Sequence, residues 1–482
     1  MNRGMVKYIV GRILVVVAIL MIPSLFVALI YREGWEGIKP FIISILITGG
    51  IGLIMGYKRP QRTDYYAKEG FVIVSLAWLL LSFFGSLPFL LSGSILHPID
   101  AFFETASGFT TTGSSILTDV EVLSHSILWW RSFTHWIGGM GVLVLAIAVM
   151  PAIASEDVYI MKAEVPGPVF GKVRAKLASS ARILYEIYFV MTVVLIILLV
   201  VGGMPVFDSF LHAFGTAGTG GFGIKNTSIG HYDSTYIDYV LGIGMIMFGI
   251  NFNLYYALLF HKASDFFHSE ELKWYLGIIA AAVIAICIDV SGYYDSVSRL
   301  IRDVFFTVSS IITTTGYATA NFDTWPVFSR TVLLLLMFCG AMAGSTAGGI
   351  KTGRVIIYLK STFMEIYRSI SPNGRKKLSF EGKILTPSQQ QQTSFYLTAY
   401  LLIFIFLILV VSISTPTFLT AFSAVAATFN NIGPGLDMVG PAGNYAALSY
   451  PAKFTLAVGM IMGRLEIFPV LVLFYPRTWR KG

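Results

Sequence analysis

Charged residues are scarce in this sequence: Asp, Glu, Lys and Arg make up only 12% of its 482 residues. A soluble protein of that length carries about a quarter charged residues and divides into several domains. The hydrophobic fraction is high, at 55%, and the mean hydropathy is +0.74. Much of the apolar sequence forms runs of about 20 residues, the length that spans a bilayer core of about 30 Å. The chain is therefore expected to be an all-α polytopic membrane protein.

The sequence also lacks the motifs of enzymes and metal sites. Its seven histidines are scattered without HExxH or another metal-ligand spacing, and no GxSxG motif is present. Cys287 and Cys339 lie far apart in apolar runs, which favours small core residues over a disulfide or a metal site. Gly344 and Gly349 have the separation of P-loop glycines, but Ile350 stands where the lysine must be. The chain is predicted not to be an enzyme, with no cofactor of its own.

Positive charges are concentrated in alternate loops. Clusters of Lys and Arg lie within residues 58–68, 162–182, 351–383 and 477–481. The loops between them carry acidic residues, among them Asp100, Glu104, Asp119, Glu121, Asp208 and Asp323. This asymmetry follows the positive-inside rule and predicts that both termini are cytoplasmic. The net charge of +8 is thus explained by the basic cytoplasmic loops of a membrane protein, and no nucleic acid is expected as a partner.

Four segments share one layout, a short apolar stretch with a glycine thirteen places after its first residue and a longer apolar stretch behind it. They are DAFFETASGFTTTG from Asp100, DSFLHAFGTAGTGG from Asp208, DVFFTVSSIITTTG from Asp303 and TAFSAVAATFNNIG from Thr420. The four leading residues are expected to be helix N-caps. Segments this short cannot cross the membrane, and exposed backbone at that depth must face protein or a water-filled cavity. Four such segments predict a ring of backbone carbonyls around one central cation pore.

The apolar runs predict about ten transmembrane helices, two N-terminal ones followed by four fused helix–pore loop–helix repeats. The second helices of repeats 1, 2 and 4 are predicted at 127–150, 236–260 and 452–474. The predicted parts are the two extra helices in 1–65, repeat 1 in 66–155, a cytoplasmic linker in 156–182, repeat 2 in 183–264, repeat 3 in 265–370, a cytoplasmic loop in 371–394 and repeat 4 in 395–482. Trp129, Trp130 and Arg131 are expected to anchor a helix at the outer membrane interface.

Together with the two leading helices, the phrases TTTGSS, TGGFG, TTTGY and NNIGPG resemble the Trk/Ktr/HKT superfamily of K⁺ transporters, most closely its bacterial TrkH/TrkG branch. The resemblance implies a K⁺ selectivity filter built from the backbone oxygens of Thr111, Thr112, Gly113, Thr219, Gly220, Gly221, Thr314, Thr315, Gly316, Asn431, Ile432 and Gly433. Only Thr315-Gly316-Tyr317 approaches the TVGYG sequence of tetrameric K⁺ channels. K⁺ and Rb⁺ are therefore expected to pass with weaker Na⁺ discrimination than a four-fold filter gives.

Small residues interrupt the apolar run after the third filter segment, and glycine costs a helix roughly 1 kcal/mol. The resemblance implies an intramembrane gating loop at residues 340–352, including Gly340, Gly344, Ser345, Thr346, Gly348, Gly349 and Lys351. Close helix packing is the alternative. Arg464 lies within the last apolar run, where a charge seldom faces lipid. The resemblance places it in the pore near the gating loop, and burial against Glu466 or loop carbonyls is the alternative.

The implied function is K⁺ uptake across the bacterial inner membrane, driven by the membrane potential. A K⁺/H⁺ or K⁺/Na⁺ symporter of the same fold is the alternative, which needs a titratable group near the pathway; Arg464 and Glu466 are the chief charged residues in the predicted spans. An ammonium-conducting relative is a further possibility. The resemblance also implies a homodimer and a separate cytosolic, nucleotide-binding RCK-type (TrkA-like) regulatory subunit.

Overall fold

A computed structural model describes residues 1–61, 66–141, 177–259, 263–371 and 376–479. Within these ranges the chain is almost entirely helical, and the only strands form a two-stranded hairpin of Ser379–Phe380 and Lys383–Ile384. Six helices there are long and apolar enough to cross a membrane, or seven if one bent pair counts as a span. The predicted all-α polytopic class is confirmed. The end of the helix predicted at 127–150 and most of the 156–182 linker lie outside the described residues.

The N-terminal helices form a tight antiparallel pair. Arg3–Leu20 continues into Ile22–Ile30, and the chain then returns through Gly34–Gly56. The two sides approach closely because glycines face each other: a Cβ on Gly52 would lie 2.8 Å from the Gly11 carbonyl oxygen. Small residues of this kind let membrane helices bring their backbones together.

Four helix–pore helix–helix repeats follow. Their first helices are Ala67–Gly85 with Leu87–Leu91, Leu177–Val201, Glu270–Asp289 and Pro387–Ser412. We number the short helices that follow them pore helices 1 to 4: Pro98–Phe109, Val206–Gly218, Val297–Ile312 and Phe418–Phe429. The second helices are His125–Gly139, Thr235–Phe248 with Phe252–Leu259, Val327–Cys339 with Thr352–Ile370, and Tyr450–Arg464 with Phe468–Phe474. A short helix, Ala263–His268, joins repeats 2 and 3.

The second helix is broken in repeats 2, 3 and 4, whereas the sequence predicted a break in repeat 3 alone. In repeat 2 it bends by 89° between Phe248 and Phe252. In repeat 4 it stops at Arg464, passes through Glu466 and Ile467 with positive φ, and resumes at Phe468. The continuous helices predicted at 236–260 and 452–474 are therefore wrong. Averaged hydropathy did not reveal these breaks, because the segments that flank Asn251 in repeat 2 and Glu466 in repeat 4 are apolar overall.

The pore helices begin before the residues predicted to cap them. Their N-caps are His97, Pro205, Ser296 and Thr417, so Asp100, Asp208, Asp303 and Thr420 lie inside the helices and the capping prediction is wrong. Pro98 shows why in repeat 1, since proline favours the first helical position and moves the start upstream of the acid. Asp100 and Asp208 still occupy the first turn, where the helix dipole favours an anion.

The loop predicted at 371–394 is partly structured. It contains the hairpin, and the following helix begins at Pro387, eight residues before the predicted start at 395. Thr386 and Gln389 form a capping box, in which each side chain accepts a hydrogen bond from the other's backbone N–H. This T-x-x-Q pattern with proline at the first helical position was the overlooked start signal.

Candidate ion pathway

The four pore-loop glycines lie in a closed ring, each loop touching the next. A Cβ added to any of them would collide with a carbonyl oxygen of the following loop: Gly113 with Gly220, Gly221 with Thr315, Gly316 with Ile432, and Gly433 with Thr112. The order runs from repeat 1 to repeat 4 and returns to repeat 1. All four glycines also line one cavity of about 160 Å³. The sequence-predicted glycines are thus brought together around a common centre.

The backbone of each loop carries two left-handed residues at alternate positions. The first is Thr111, Thr219, Thr314 or Asn431, with φ between 54° and 57°, and the second is the ring glycine. A β-branched residue with positive φ is an outlier that costs about 1–3 kcal/mol and persists only when its surroundings enforce it. Alternating left- and right-handed residues let successive carbonyl groups face the same side. The pattern repeats in all four loops and suits a carbonyl-lined path.

The carboxyl ends of the pore helices lead directly into these loops. Phe109, Ile312 and Phe429 are the last helical residues in repeats 1, 3 and 4, and Gly218 is the last in repeat 2. The carboxyl end of a helix carries partial negative charge. Four such ends aimed at one ring favour a cation that has lost part of its water.

A buried ion pair braces the loops of repeats 1 and 2. Arg131 Nε donates to Glu104 Oε1 at 2.7 Å, and Arg131 Nη1 donates to the Gly223 carbonyl at 2.8 Å. Glu104 also accepts from the Ser115 hydroxyl and the Ile116 N–H, at 2.9 and 3.0 Å. The carboxylate thus holds the chain just after Gly113, while the guanidinium holds the chain just after Gly221.

Arg131 and its neighbour Trp130 were predicted at the outer membrane interface, and that prediction is wrong. Both side chains are buried, and Trp130 Nε1 donates to the Gly85 carbonyl at 2.9 Å. The arginine lies 3.6 Å from the ring centroid of Phe222. A Trp-Trp-Arg sequence is typical of an interface, but here the acid on the adjacent pore helix draws the arginine inward.

His135 forms a second brace between repeats 1 and 2, which the sequence did not indicate. Its Nδ1 lies 2.8 Å from the Gly108 carbonyl, and its Nε2 accepts from the Phe222 N–H at 3.2 Å. These partners select the neutral tautomer with the proton on Nδ1. Gly218 and Gly220 pack against this residue so closely that a Cβ on either would collide with it.

The predicted gating loop lies against the ring. The Gly348 N–H donates to the Thr314 hydroxyl at 2.6 Å, and a Cβ on Gly348 would collide with the Asn430 carbonyl. Gly340, Gly344 and Gly349 have positive φ. Ser345 and Thr346 donate hydroxyl bonds to Met342 and Phe248 carbonyls, and Lys351 Nζ donates to the Ala347 carbonyl. The loop therefore touches filter segments 3 and 4 and also the break in repeat 2.

Arg464 donates to three backbone carbonyls. Its Nη1 lies 2.6 Å from the Thr346 oxygen in the gating loop, and its Nη2 lies 2.7 and 2.6 Å from the Gly138 and Gly139 oxygens of repeat 1. Glu466 instead forms a two-pronged pair with Arg354. Glu466 lies beyond the end of the helix, where its backbone has positive φ, and its carboxylate accepts from the Arg354 guanidinium. The guanidinium is buried beside the predicted gating loop, and one of its partners is a carbonyl of that loop.

Comparison with known proteins agrees with this geometry. The sequence model of the TrkH family, described as "Cation transport protein", matches residues 38–481. The Trk system potassium uptake protein TrkH of Salmonella typhimurium is 36% identical over 488 residues, covering 100% of both chains. TrkG of Escherichia coli is 33% identical over 482 residues, covering 99% of this chain and 98% of that one.

A solved structure is similar over the whole length. The crystal structure of the potassium transporter TrkH from Vibrio parahaemolyticus matches with a TM-score of 0.89 and 30% identity, covering 100% of both chains. Both the sequence family and the three-dimensional arrangement thus agree over essentially the entire chain. The chain belongs to the TrkH family of cation transport proteins, which are transporters and not enzymes.

Proposed function

We propose that this protein takes up K⁺ across the bacterial inner membrane through a gated, channel-like pore. The closed ring of four pore-loop glycines carries the proposal, because it brings four sets of backbone oxygens to one centre. Relatives along the full chain length bear the name of potassium uptake proteins. An inside-negative potential supplies about 2.3 kcal/mol per charge per 100 mV, which drives K⁺ inward without a further energy source.

The proposed filter exchanges the hydration water of K⁺ for main-chain oxygen. Its members are Thr111, Thr112, Gly113, Thr219, Gly220, Gly221, Thr314, Thr315, Gly316, Asn431, Ile432 and Gly433. Burial of the three left-handed threonines and Asn431 supports a fixed backbone conformation. Rb⁺, with a similar radius, should pass as well, while four different loop sequences should discriminate less sharply against Na⁺ than four identical ones.

The proposed gate is the loop at residues 340–352. Its contact with the Thr314 hydroxyl puts it next to the filter, and its contact with Arg464 adds a fixed positive charge. A positive charge beside the path lowers the occupancy of cations there. Ions pass, in this proposal, when the loop leaves the ring and the guanidinium moves with it or loses its loop contact.

A K⁺/H⁺ or K⁺/Na⁺ symporter is the second candidate. Its H⁺-coupled form requires a titratable group that exchanges protons with the pathway, and Glu104 is a buried carboxylate close to the ring. That carboxylate is committed to Arg131, Ser115 and Ile116, which favours a structural role and therefore electrodiffusion. Uptake measured at clamped voltage over a range of pH separates the two, since coupling would make the reversal potential depend on pH.

The proposed assembly and orientation rest on the resemblance and on the distribution of charge. The distribution of basic loops supports a multi-pass chain in the lipid bilayer with both termini in the cytoplasm. A homodimer with one pore per protomer, and control by a cytosolic RCK-type (TrkA-like) subunit that binds nucleotides, are part of the same proposal. Ammonium competition with K⁺ tests whether the pore prefers a different cation.

Rubidium flux into liposomes that hold the purified chain tests the filter. Gly316→Ser should reduce the flux roughly tenfold or more, because overpacking against the Ile432 carbonyl costs about 1–3 kcal/mol. Gly277→Ser is the matched control in the same repeat, since a Cβ there meets nothing within 4 Å. Equal flux and equal Na⁺ competition in both variants would refute the filter assignment.

Arg464→Ala tests the gate in the same liposomes. Removing the guanidinium should raise the basal rubidium flux, since both a positive charge and a tie to the Thr346 carbonyl are lost. Arg182→Ala is the control, because Arg182 is exposed and pairs only with Glu186 on its own helix surface in the contacts described. A lower flux in the Arg464 variant would contradict the proposed gating role.

A further inference from the structure

One buried carboxylate joins the two ends of the gating loop. Glu271 Oε1 accepts the Ala343 N–H at 2.8 Å and the Gly353 N–H at 2.9 Å. Ala343 lies near the start of the loop and Gly353 directly follows its end. The Glu271 side chain comes from a different element, the first turn of helix Glu270–Asp289, and it is only 4% exposed. A single oxygen atom therefore holds both ends.

These two bonds give the Ala343 and Gly353 N–H groups the acceptors that a continuous helix would otherwise provide. A buried backbone N–H needs an acceptor, and the loop conformation withdraws the carbonyls that a continuous helix would offer. A carboxylate is a stronger acceptor than a neutral group. Gly353 is the residue that lets the carboxylate approach, since a Cβ on it would lie 2.8 Å from Glu271 Oε1. Lys351, buried in the loop, adds a favourable charge interaction with Glu271.

The position of Glu271 is set in turn by the hairpin of Ser379–Phe380 and Lys383–Ile384. Glu381, at the turn of this hairpin, accepts the Glu271 N–H and the Ser269 hydroxyl on Oε1, both at 2.8 Å. Phe380 is buried, and its ring lies 3.3 Å from where a Gly353 Cβ would stand. The hairpin thus contacts the carboxylate-bearing turn and the helix that leaves the loop.

Further contacts make the hairpin and that helix one unit. Lys360, on helix Thr352–Ile370, donates to the Ser379 carbonyl at 2.9 Å and forms an ion pair with Glu270. A small apolar cluster fills the space between them, formed by Ile356, Ile357, Leu378, Phe380 and Leu385. Displacing the hairpin would therefore pull on the first turn of one helix and the start of the other together.

The corresponding helix starts in repeats 1 and 4 use their polar side chains differently. Glu69 accepts from Asn2 and Tyr66 N–H groups, and Gln389 caps its own helix at Thr386. In the contacts described, neither reaches the second helix of its repeat. Bridging to the interrupted helix is thus a feature of Glu271, in the repeat that carries the gating loop.

We propose that Glu271 is a positioning residue that latches the gating loop in its occluding conformation, and that the 379–384 hairpin is the lever that releases it. The inference rests on the proposed gating role of the loop. Movement of the hairpin withdraws Glu381 from the first turn, Glu271 shifts with that turn, and both ends of the loop lose their shared acceptor. The loop then leaves the ring.

The test uses rubidium flux at fixed voltage into liposomes that hold the full chain. Glu271→Ala should raise the basal flux roughly tenfold, which corresponds to about 1.4 kcal/mol between occluded and open loop. Glu271→Gln keeps one oxygen acceptor without the charge, so its rubidium flux should lie between those of the parent and Glu271→Ala. Preference for Rb⁺ over Na⁺ should stay unchanged, because in this proposal ions pass only after the loop has left the ring, in the variant and the parent alike. Lys273→Ala, an exposed change two residues after Glu271, is the control and should leave the flux unaltered.

Glu381→Ala is the second variant, and it decides the matter if Glu271→Ala does not fold. It removes the hairpin's acceptor but leaves the latch oxygen in place, so the flux should rise by a smaller factor. Thiol labelling gives a direct measure of the loop position. The reporter is Ser345→Cys in a background with Cys287 and Cys339 replaced by alanine. Labelling of this cysteine should be faster in both Glu271→Ala and Glu381→Ala, because the loop leaves the ring more often. If folded latch variants show unchanged or lower rubidium flux and unchanged labelling, the latch is overturned. If Gly316→Ser carries the same flux as its control, the pore proposal itself is overturned.

Discussion

Thr314 is the residue at which the proposed filter contacts the proposed gate. Its backbone is left-handed, with φ of 57°, and its hydroxyl accepts the Gly348 N–H at 2.6 Å. A strained β-branched residue keeps its conformation only while its neighbours enforce it. Through this one side chain, we expect a movement of the proposed gating loop to alter the backbone of the proposed filter. A change in that backbone should in turn alter the loop.

Replacing Thr314 by Val should uncouple these two elements. Valine has the same shape but no acceptor, and leaving the buried Gly348 N–H unpaired costs about 1–3 kcal/mol. We expect a lower melting temperature in detergent and a higher basal rubidium flux. Thr314→Ser keeps the hydroxyl and should stay close to the parent in both measurements. Equal behaviour of the Val and Ser variants would mean that the contact carries no coupling.

The Glu104–Arg131 pair should matter for selectivity as well as for stability. Breaking a buried pair by neutralising one partner leaves an uncompensated charge and costs about 3–5 kcal/mol. Glu104→Leu and Arg131→Leu alone should each be strongly destabilising, and the double variant should be milder because no lone charge remains. All three should bind Na⁺ more readily, since the chains after Gly113 and Gly221 lose their ties.

Thermal unfolding and Na⁺ competition against rubidium uptake measure these two effects separately. Thr362→Val is a suitable control, because its exposed hydroxyl bonds only to its own helix in the contacts described. A folded double variant with unaltered Na⁺ competition would show that the pair supports the fold and not the selectivity.

At the scale of elements, carboxylates join the loops that follow the ring glycines of repeats 1 and 2. Asn226 Nδ2 donates to Asp119, and the Asn226 N–H and Lys225 Nζ donate to Glu121. The side-chain bond from Asn226 lowers the pKa of Asp119, and the backbone bond from Asn226 followed by Lys225 lowers that of Glu121. Both carboxylates lie in the segment between helices Pro98–Phe109 and His125–Gly139, outside the candidate membrane spans.

The sign of these shifts fixes the expected pH dependence. A carboxyl with a depressed folded pKa contributes stability above its unfolded pKa, about 3.9 for Asp and 4.3 for Glu, and loses it as pH falls through the folded value. Acid should therefore loosen the junction of these loops, and hydrogen exchange at Val120 and Asn226 should rise there. Asn226→Ala removes the side-chain hydrogen bond that chiefly lowers the pKa of Asp119, so less stability should be lost on acidification in this variant. An equal acid dependence in the variant and the parent would contradict the assignment.

Some elements of the fold could be predicted from the sequence, and others could not. Hydropathy and the thirteen-residue glycine spacing were enough for the helical class, the pore loops and the interruption after Cys339, because each depends on local composition. The breaks near Phe248 and Arg464, the burial of Arg131 and the role of His135 were missed. They depend on partners distant in sequence, the gating loop and the neighbouring pore helices, which no local pattern reveals.

At the scale of the whole molecule, fusing four repeats in one chain allows them to differ. The residue four places into each pore segment is Glu104, His212, Thr307 or Ala424. A tetramer of identical subunits would repeat a buried charge at every one of these positions. Here one repeat carries the acid and its arginine, another carries a histidine that contacts Tyr232, and the remaining two are free of charge there.

This asymmetry predicts unequal effects of the same substitution at the four ring glycines. A Cβ on Gly433 would lie 2.8 Å from the Thr112 oxygen, whereas at Gly113, Gly221 and Gly316 it would overlap the neighbouring oxygen far more deeply. All four need positive φ, so each Gly→Ala variant pays a comparable backbone cost, and the difference between them comes from the collision. Gly433→Ala should therefore keep the most rubidium flux and the lowest KM for Rb⁺ in the series. A ranking in which the Gly433 variant is the most impaired would show that the fourth loop is more confined during conduction than the ring geometry indicates.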